Sequence, residues 1–316
     1  MKKRRLGQTD LELTVIGLGT WAVGGPWEYG WGRQDDRDSL EAIRQAIDSG
    51  INWIDTAPIY GCGRSEEIVG RALKEMSAKP LIATKCGLLW NSKRQKINCL
   101  DASSIAAECE QSLKRLGVDV IDLYQMHWPQ PEEQFEQGWE AMARLAEQGK
   151  ARYIGVCNCS IEQMERIAGI CPTASLQPPY SMLRRDIEQD LLAYCGQNKI
   201  GVVAYSPMQK GLLTGKFNLE YLKTLSPDDH RVQMDPNFKE PLFSQNLRRI
   251  DQLKKVAVEL GITMAQLAIA WVLRRSEVTS AIVGARRKGQ IVETAAAAKV
   301  ELDNAALGRI EKILND

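Results

Sequence analysis

Residues 51–85 read INWIDTAPIYGCGRSEEIVGRALKEMSAKPLIATK, and this stretch contains the unit from which the fold can be predicted. The apolar run INWIDTA is typical of a short buried strand, and SEEIVGRALKEM has the spacing of an amphipathic helix. PLIATK then returns to a second buried strand. A strand, a helix and a strand in this order form a βαβ unit with two parallel strands.

The same alternation extends in both directions along the chain. Eight strand-like runs are each followed by a helix-like run: VIGLGTW, INWIDTA, PLIATK, VIDLYQMHW, ARYIGVCN, ASLQPPYS, IGVVAYSP and TSAIVGA. Eight such units favour an α/β fold of the (β/α)8 TIM-barrel type over an open doubly wound sheet. No linker or repeat divides the chain, so we expect a single barrel domain over residues 1–316.

Additions to the barrel are predicted at both ends and in two loops. RRLGQTDLELTV is expected to form an N-terminal β-hairpin, and DNAALGRIEKILND an extra C-terminal helix. Residues 26–36, rich in Trp and Gly, follow the first strand and suit a pocket wall. A long irregular stretch over residues 210–245 follows the seventh strand. Both loops lie where barrels build active sites, and the second suits a lid.

Composition argues against several classes of function. The net charge of +1 gives no reason to expect nucleic acid or a membrane surface as a partner. No apolar run reaches the ~20 residues that span a bilayer, and the N-terminus does not resemble a secretory signal. Eight cysteines then indicate reduced thiols in the cytoplasm. Cys157 and Cys159 lack a second ligand pair, so no metal is expected.

Four polar residues lie near the carboxyl ends of successive predicted strands: Asp55, Tyr60, Lys85 and His127. A carboxylate, a phenol, an amine and an imidazole at one end of a barrel are suited to moving a proton to or from a carbonyl or alcohol oxygen. Each residue alone has a structural alternative, such as a capping Asp or a core His. Their combination favours catalysis.

The stretches DTAPIYGCGRSEEIVG, IATK, SLKRLGVDVIDLYQMHWP, GKARYIGVCNCS and YSPMQKGLLTGK resemble the signatures of aldo-keto reductases. The likeness runs over nearly the whole chain and is greatest to prokaryotic inositol-type and general-stress members. The chain is also similar to channel-associated β subunits. The resemblance implies a barrel that binds NADP(H), with NAD(H) second, and transfers a hydride between nicotinamide and an aldehyde, ketone or sugar.

The resemblance also implies roles for the four polar residues. Tyr60 would act as general acid in reduction and as base in alcohol oxidation. Lys85 would lower the pKa of the Tyr60 phenol, and Asp55 would hold Lys85 charged. His127 would orient the carbonyl oxygen and share in proton transfer.

A cofactor-binding set is likewise implied by resemblance. Asn158 and Gln177 would hold the nicotinamide carboxamide, with Cys157 where the family has Ser, and Tyr205 would stack on the ring. The full set is Gly19, Thr20, Trp21, Asp55, Asn158, Gln177, Tyr205, Ser206, Pro207, Met208, Gly211, Leu212, Gly284, Arg286, Gln290 and Thr294.

The segment 284–294 bears on the choice between NADP(H) and NAD(H). Arg286, with Arg287 and Lys288, offers positive charge for a 2′-phosphate. Gln290 stands where some relatives carry Arg, and Thr294 where many carry Asn. Both departures weaken the preference for NADP(H), which we nevertheless expect.

Tryptophans are expected to line the substrate pocket, namely Trp21, Trp90 and Trp128. For Trp27 and Trp31, packing between loops is an equal alternative. Cys62 is expected to be a bystander thiol, and His230 is given no catalytic role.

Two other functions remain open from the sequence. One is a nucleotide-holding regulatory or redox-sensor subunit with slow turnover. The other is a Schiff-base aldolase that uses Lys85, although the cofactor segments would then have no role. An oligomer is compatible with the sequence.

Overall fold

The computed structural model of the chain describes residues 1–227 and 229–315. Asp228, in the predicted long loop, and Asp316, at the end of the predicted final helix, lie outside the described residues. The strands are β1 (Lys3–Arg5), β2 (Glu12–Thr14), β3 (Ile16–Gly19), β4 (Trp53–Asp55), β5 (Leu81–Cys86), β6 (Leu88–Trp90), β7 (Lys96–Asn98), β8 (Ile121–Met126), β9 (Ala151–Cys157), β10 (Ser175–Gln177), β11 (Gly201–Tyr205) and β12 (Val278–Gly284).

Helices follow the barrel strands and fill the loops between them. They are α1 (Asp36–Asp48), α2 (Arg64–Glu75), α3 (Ala102–Leu116), α4 (Phe135–Glu147), α5 (Ile161–Ala168), α6 (Leu191–Gln197), α7 (Leu219–Lys223), α8 (His230–Met234), α9 (Leu242–Glu259), α10 (Met264–Leu273), α11 (Gln290–Ala295) and α12 (Asn304–Asn315).

Eight parallel strands close the predicted barrel in the order β3, β4, β5, β8, β9, β10, β11, β12. The barrel strands are largely buried on both faces, with surrounding helices covering the outer side. The (β/α)8 prediction is therefore confirmed. The predicted N-terminal hairpin is present, because β1 pairs antiparallel with β2. The final helix is present as α12.

The hairpin closes the amino-terminal end of the barrel. Leu6, Leu11 and Leu13 pack against Trp53 in a buried cluster. The Trp53 indole donates to Thr14 O at 3.2 Å. Only glycine fits at position 17, since a Cβ there would lie 2.1 Å from the Trp53 ring. With this end filled, the open end of the barrel is the carboxyl end.

The long stretch after β11 contains more regular structure than the sequence analysis predicted. It contains α7 and α8, and its last residues begin α9, an 18-residue helix that the sequence reading missed. Phe243, Ile250, Leu253 and Ala257 form the buried face of α9 at helical spacing. The many polar residues between these positions are more typical of a loop, so the sequence pattern did not indicate a helix. The β6–β7 hairpin was also missed, because each of its strands has only three residues.

Among the described residues, no single helix is both long and apolar enough to span a bilayer. The pair α9 and α10 meets the length and composition requirement only when taken together, and it is bent by 89°.

Candidate active site

Asp55, Tyr60, Lys85 and His127 meet at the carboxyl end of the barrel. Asp55 ends β4, Lys85 lies in β5, and His127 follows directly after β8. The Lys85 ammonium donates to both carboxylate oxygens of Asp55, at 2.8 and 2.7 Å, and to Tyr60 Oη at 3.3 Å. The Tyr60 and His127 rings meet edge-on, with centroids 5.7 Å apart. The sequence prediction that these four side chains converge agrees with this geometry.

The electrostatics of Tyr60 differ from the expectation. Removal of the phenol from bulk water raises its pKa above the usual range, and this effect outweighs the lowering by Lys85. The expected lowering of the Tyr60 pKa by Lys85 is present, but the pKa as a whole is raised because the effect of burial is larger. The negative charge of Asp55 raises the pKa of Tyr60 further. Tyr60 thus keeps its proton at neutral pH.

Lys85 and His127 differ in charge. Burial acts to lower the pKa of the Lys85 ammonium, but the negative charge of Asp55 raises it above its ordinary value. Burial, together with the Lys85 charge, holds the pKa of His127 well below its usual range. Lys85 is therefore a cation and His127 a neutral imidazole, which can donate one hydrogen bond.

A second layer of amides supports these residues. Gln177 Nε2 donates to Asp55 Oδ1 at 2.8 Å. Asn158 Nδ2 donates to the carbonyl oxygen of His127 at 3.1 Å, and Asn158 Oδ1 accepts from Tyr205 Oη at 3.0 Å. Asn158 has a φ of 58°, a left-handed conformation that Asn tolerates better than most residues. These bonds fix the orientation of both amide side chains.

Cys157 does not face the same space as Asn158. Its thiol is buried and lies 3.9 Å from Gln125 Oε1. Burial raises the pKa of the thiol, which therefore remains protonated. The Cys157 thiol therefore packs against the side chain of Gln125.

A cavity of about 1100 Å³ opens above the four residues. Asp55, Tyr60 and His127 line it. It is also lined by most of the predicted cofactor set: Gly19, Trp21, Asn158, Gln177, Tyr205, Ser206, Pro207, Met208, Gly211, Gly284, Arg286 and Gln290. Trp27, Trp31 and Trp128 line it as well. The segments that follow β11 and β12 therefore line the same cavity as Asp55, Tyr60 and His127.

Several predicted residues do not line the cavity. Thr20 is buried and donates through Oγ1 to Asp55 O at 2.9 Å, so it supports β4. Leu212 is buried, and the Thr294 hydroxyl bonds back to Gln290 O within α11. Trp90 packs beside the small cluster that contains Ile59. Lys85 itself is fully buried and reaches the site only through Asp55 and Tyr60.

Charged residues at the cavity were missed by sequence reasoning. Lys96 enters it from the unpredicted β7, and Arg231 from α8. Lys210 pairs with Asp235 at 2.8 Å and approaches His230 Nε2 at 3.0 Å. Lys96 and Arg231 lie outside the quoted motifs, in short elements whose paths the sequence pattern does not determine. Lys210 lies within YSPMQKGLLTGK, but nothing in that stretch indicates its partners.

The two long loops meet over the cavity. His230 N donates to Gly30 O at 3.2 Å, and the Arg231 guanidinium lies 4.5 Å from the centre of the Trp31 ring. Trp31 therefore packs between the loops as well as lining the cavity. The lid role of residues 210–245 stays a prediction.

The described part of the chain contains no cluster of three or more His, Cys, Asp or Glu side chains arranged to hold a metal ion. All eight cysteines are free thiols.

Comparison with known proteins identifies the family. The model of the Aldo/keto reductase family matches residues 15–315, so the chain belongs to the aldo-keto reductases, a family of oxidoreductases. Aldo-keto reductase YhdN of Bacillus subtilis is 43% identical over 92% of this chain and 87% of that protein. The NADH-specific methylglyoxal reductase of Escherichia coli K12 is 36% identical over 96% of each chain.

The resemblance to channel β subunits is also confirmed. A probable voltage-gated potassium channel β subunit of Arabidopsis thaliana is 32% identical over 99% of this chain and 97% of that protein. Among solved structures, glycerol dehydrogenase from Gluconobacter oxydans has a TM-score of 0.90 and 38% identity, over 99% of this chain and 95% of that one.

Proposed function

We propose that this protein is a nicotinamide-dependent carbonyl reductase in which Tyr60 donates a proton to the substrate oxygen. The observation that carries the proposal is the contact of the Lys85 ammonium with Tyr60 Oη, at 3.3 Å, beside a cavity large enough for a dinucleotide and a small substrate. Relatives named as a methylglyoxal reductase and a glycerol dehydrogenase support carbonyl or alcohol chemistry.

The residues divide the proton chemistry among them. Tyr60, protonated at neutral pH, donates its proton to the carbonyl oxygen and becomes a phenolate. The Lys85 ammonium then stabilises that phenolate, and Asp55 keeps Lys85 charged and fixed. Neutral His127 donates a hydrogen bond that orients the carbonyl. In alcohol oxidation the same proton moves back to Tyr60.

The cavity has features that fit a nicotinamide dinucleotide. When bound, this cofactor supplies the hydride that the carbonyl carbon receives. Gln177 Nε2 donates to Asp55 and Gln125, which leaves its Oε1 to accept from a carboxamide N–H. The Tyr205 ring lines the cavity beside Asn158 and offers a flat face for stacking.

NADP(H) is proposed over NAD(H). Arg286 and Arg287 line the end of the cavity near Gly284, and an arginine suits the 2′-phosphate. The Arg286 guanidinium is oriented by Gln34 Oε1, at 2.9 Å, and by the Arg33 carbonyl. Lys288 is a weaker candidate, because it is 76% exposed and turned toward Glu41. The NADH-specific relative makes cofactor choice a point to measure.

We further propose that the chain acts as a single domain in the cytoplasm, on a small-molecule carbonyl or alcohol. Its eight free thiols suit a reducing compartment.

The proposal can be tested with purified protein, NADPH or NADH, and a panel of aldehydes, ketones and sugars. Loss of reduced-nicotinamide absorbance that depends on Tyr60 is expected. Binding of NADPH without turnover of any carbonyl or alcohol would instead favour a regulatory subunit. Borohydride trapping of a substrate on Lys85 would favour the aldolase.

A further inference from the structure

We propose that Lys96 makes the site selective for carbonyl substrates that carry an anionic substituent, such as a carboxylate. The inference rests on the proposed reductase function and names the substrate class for that site. Lys96 opens β7 and lines the cavity, as does Leu88 from β6 of the same hairpin. This hairpin follows directly after β5, which carries Lys85.

The Lys96 ammonium lies beside an aromatic side chain of the cavity wall. Its Nζ lies 5.9 Å from the centre of the Tyr29 ring, which also lines the cavity. The pKa of the His127 imidazole is lowered by burial, by the charge of Lys85 and, to a lesser extent, by the charge of Lys96. A charge that acts on His127 also acts on a substrate whose carbonyl oxygen that residue orients.

Some other cations of the site already have ion-pair partners, whereas Arg33, Lys216, Arg286 and Arg287 also line the cavity and form no ion pair among the described residues. Lys85 pairs with Asp55, Lys210 with Asp235, and Arg231 with Asp229. Within residues 1–227 and 229–315, the Lys96 ammonium forms no ion pair. The nearby Glu28 carboxylate accepts from the backbone N–H of Lys96, at 2.8 Å, rather than from the ammonium. An anionic substituent would therefore find an uncommitted partner here.

The surrounding wall indicates what the rest of the substrate looks like. Trp27 and Trp128 line the same cavity, and Trp27 packs against Tyr29 with ring centroids 5.4 Å apart. These rings offer contact area to an aromatic or aliphatic body that separates the carbonyl from the anionic group. Partial exclusion of water by the rings strengthens the attraction between the two charges.

The test compares substrates that differ in charge. We would measure kcat/KM for 3- and 4-formylbenzoate and for their neutral methyl esters. The proteins are wild type and the variants Lys96→Met, Lys96→Arg and Lys96→Glu. Lys93→Met is the matched control, because Lys93 is exposed on the same hairpin and does not line the cavity.

The carboxylate-to-ester ratio should exceed one in wild type and fall about fivefold in Lys96→Met, mainly through KM. It should fall further in Lys96→Glu and persist in Lys96→Arg and Lys93→Met. Added salt should lower the ratio in wild type but not in Lys96→Met. An unchanged ratio in Lys96→Met, or equal loss with both substrates, would overturn the inference.

Failure of the proposed function is distinguishable from failure of this inference. Reduction of the esters by wild type but not by Tyr60→Phe supports the function whatever Lys96 does. If wild type reduces neither substrate, quenching of tryptophan fluorescence by the same compounds, with NADPH present, decides the matter. The inference is supported if wild type binds the carboxylate more tightly than the ester and Lys96→Met does not. Equal affinity of wild type for the carboxylate and the ester overturns it.

Discussion

Lys85 is fully buried, and its ammonium bonds both carboxylate oxygens of Asp55, which is only 3% exposed. A third bond, to the Thr56 carbonyl at 2.9 Å, fixes the ammonium next to Tyr60. Because neither charge is hydrated by bulk water, each depends on the other. The Lys85–Asp55 pair is therefore expected to contribute both to the free energy of unfolding and to the proposed proton transfer by Tyr60.

Removal of Lys85 should affect both properties. Lys85→Met leaves the Asp55 carboxylate buried without its cation, and we expect a loss of roughly 3 kcal/mol in the free energy of unfolding. The double change Asp55→Asn with Lys85→Met should recover part of this loss while turnover stays low. Denaturant titration and steady-state kinetics measure the two effects. Lys74→Met, at an exposed position of α2, is the control, and similar stability of all the proteins would contradict the buried-pair account.

Loss of the Tyr60 hydroxyl should be specific to turnover. Tyr60→Phe removes the proposed proton donor but keeps the ring against His127, so kcat should fall about 100-fold or more. Affinity for NADPH, followed by fluorescence titration, should change little. Tyr221→Phe alters another phenol of the same cavity and should be near wild type. Near wild-type turnover in Tyr60→Phe would rule out its role as the proton donor.

Arg286 should govern cofactor preference. Arg286→Gln should raise the KM for NADPH about tenfold, because a charged hydrogen bond to the 2′-phosphate is lost, and leave the KM for NADH almost unchanged. Lys288→Gln should affect neither, since Lys288 points toward Glu41. Equal loss with both cofactors would mean that Arg286 serves the loop held by Gln34 rather than the phosphate.

Glu108 should make stability depend on pH. It is buried on α3 and accepts from Gly87 N at 3.0 Å, and burial raises its pKa from 4.5 to about 7. The folded protein then holds this proton more tightly than the unfolded chain. The free energy of unfolding should therefore fall as pH rises from about 4.5 to 7, by roughly 3 kcal/mol from this group.

The matched variant for this pH effect is Glu108→Gln, which cannot titrate. Denaturant titrations at pH 4.5 and pH 7.5 should give a smaller decline for Glu108→Gln than for wild type. Parallel declines in the two proteins would assign the pH dependence to other groups.

The barrel and the convergence of Asp55, Tyr60, Lys85 and His127 could be predicted from the sequence. Buried parallel strands leave a clear apolar pattern, and a residue at the end of each strand must lie at one rim. Asp55 and Lys85 are positioned by strand register alone, since β4 pairs directly with β5.

Features that depend on loop path or burial could not be obtained in this way. The position of Lys96 depends on how a three-residue strand folds back over the cavity, and Arg231 reaches it through contacts with Trp31. The raised pKa of Tyr60 depends on how deeply the hydroxyl is buried, which no motif encodes. The inward turn of Thr294 follows from the packing of α11.

The central claim is that Tyr60 protonates a carbonyl that is reduced with nicotinamide. The most direct measurement is a single-turnover reaction of 4-formylbenzoate methyl ester with NADPH that carries deuterium at both C4 positions of nicotinamide, analysed by mass spectrometry. The account predicts an alcohol with deuterium at the former carbonyl carbon, formed by wild type about 100-fold or more faster than by Tyr60→Phe. Alcohol without deuterium, or equal rates in the two proteins, would contradict it.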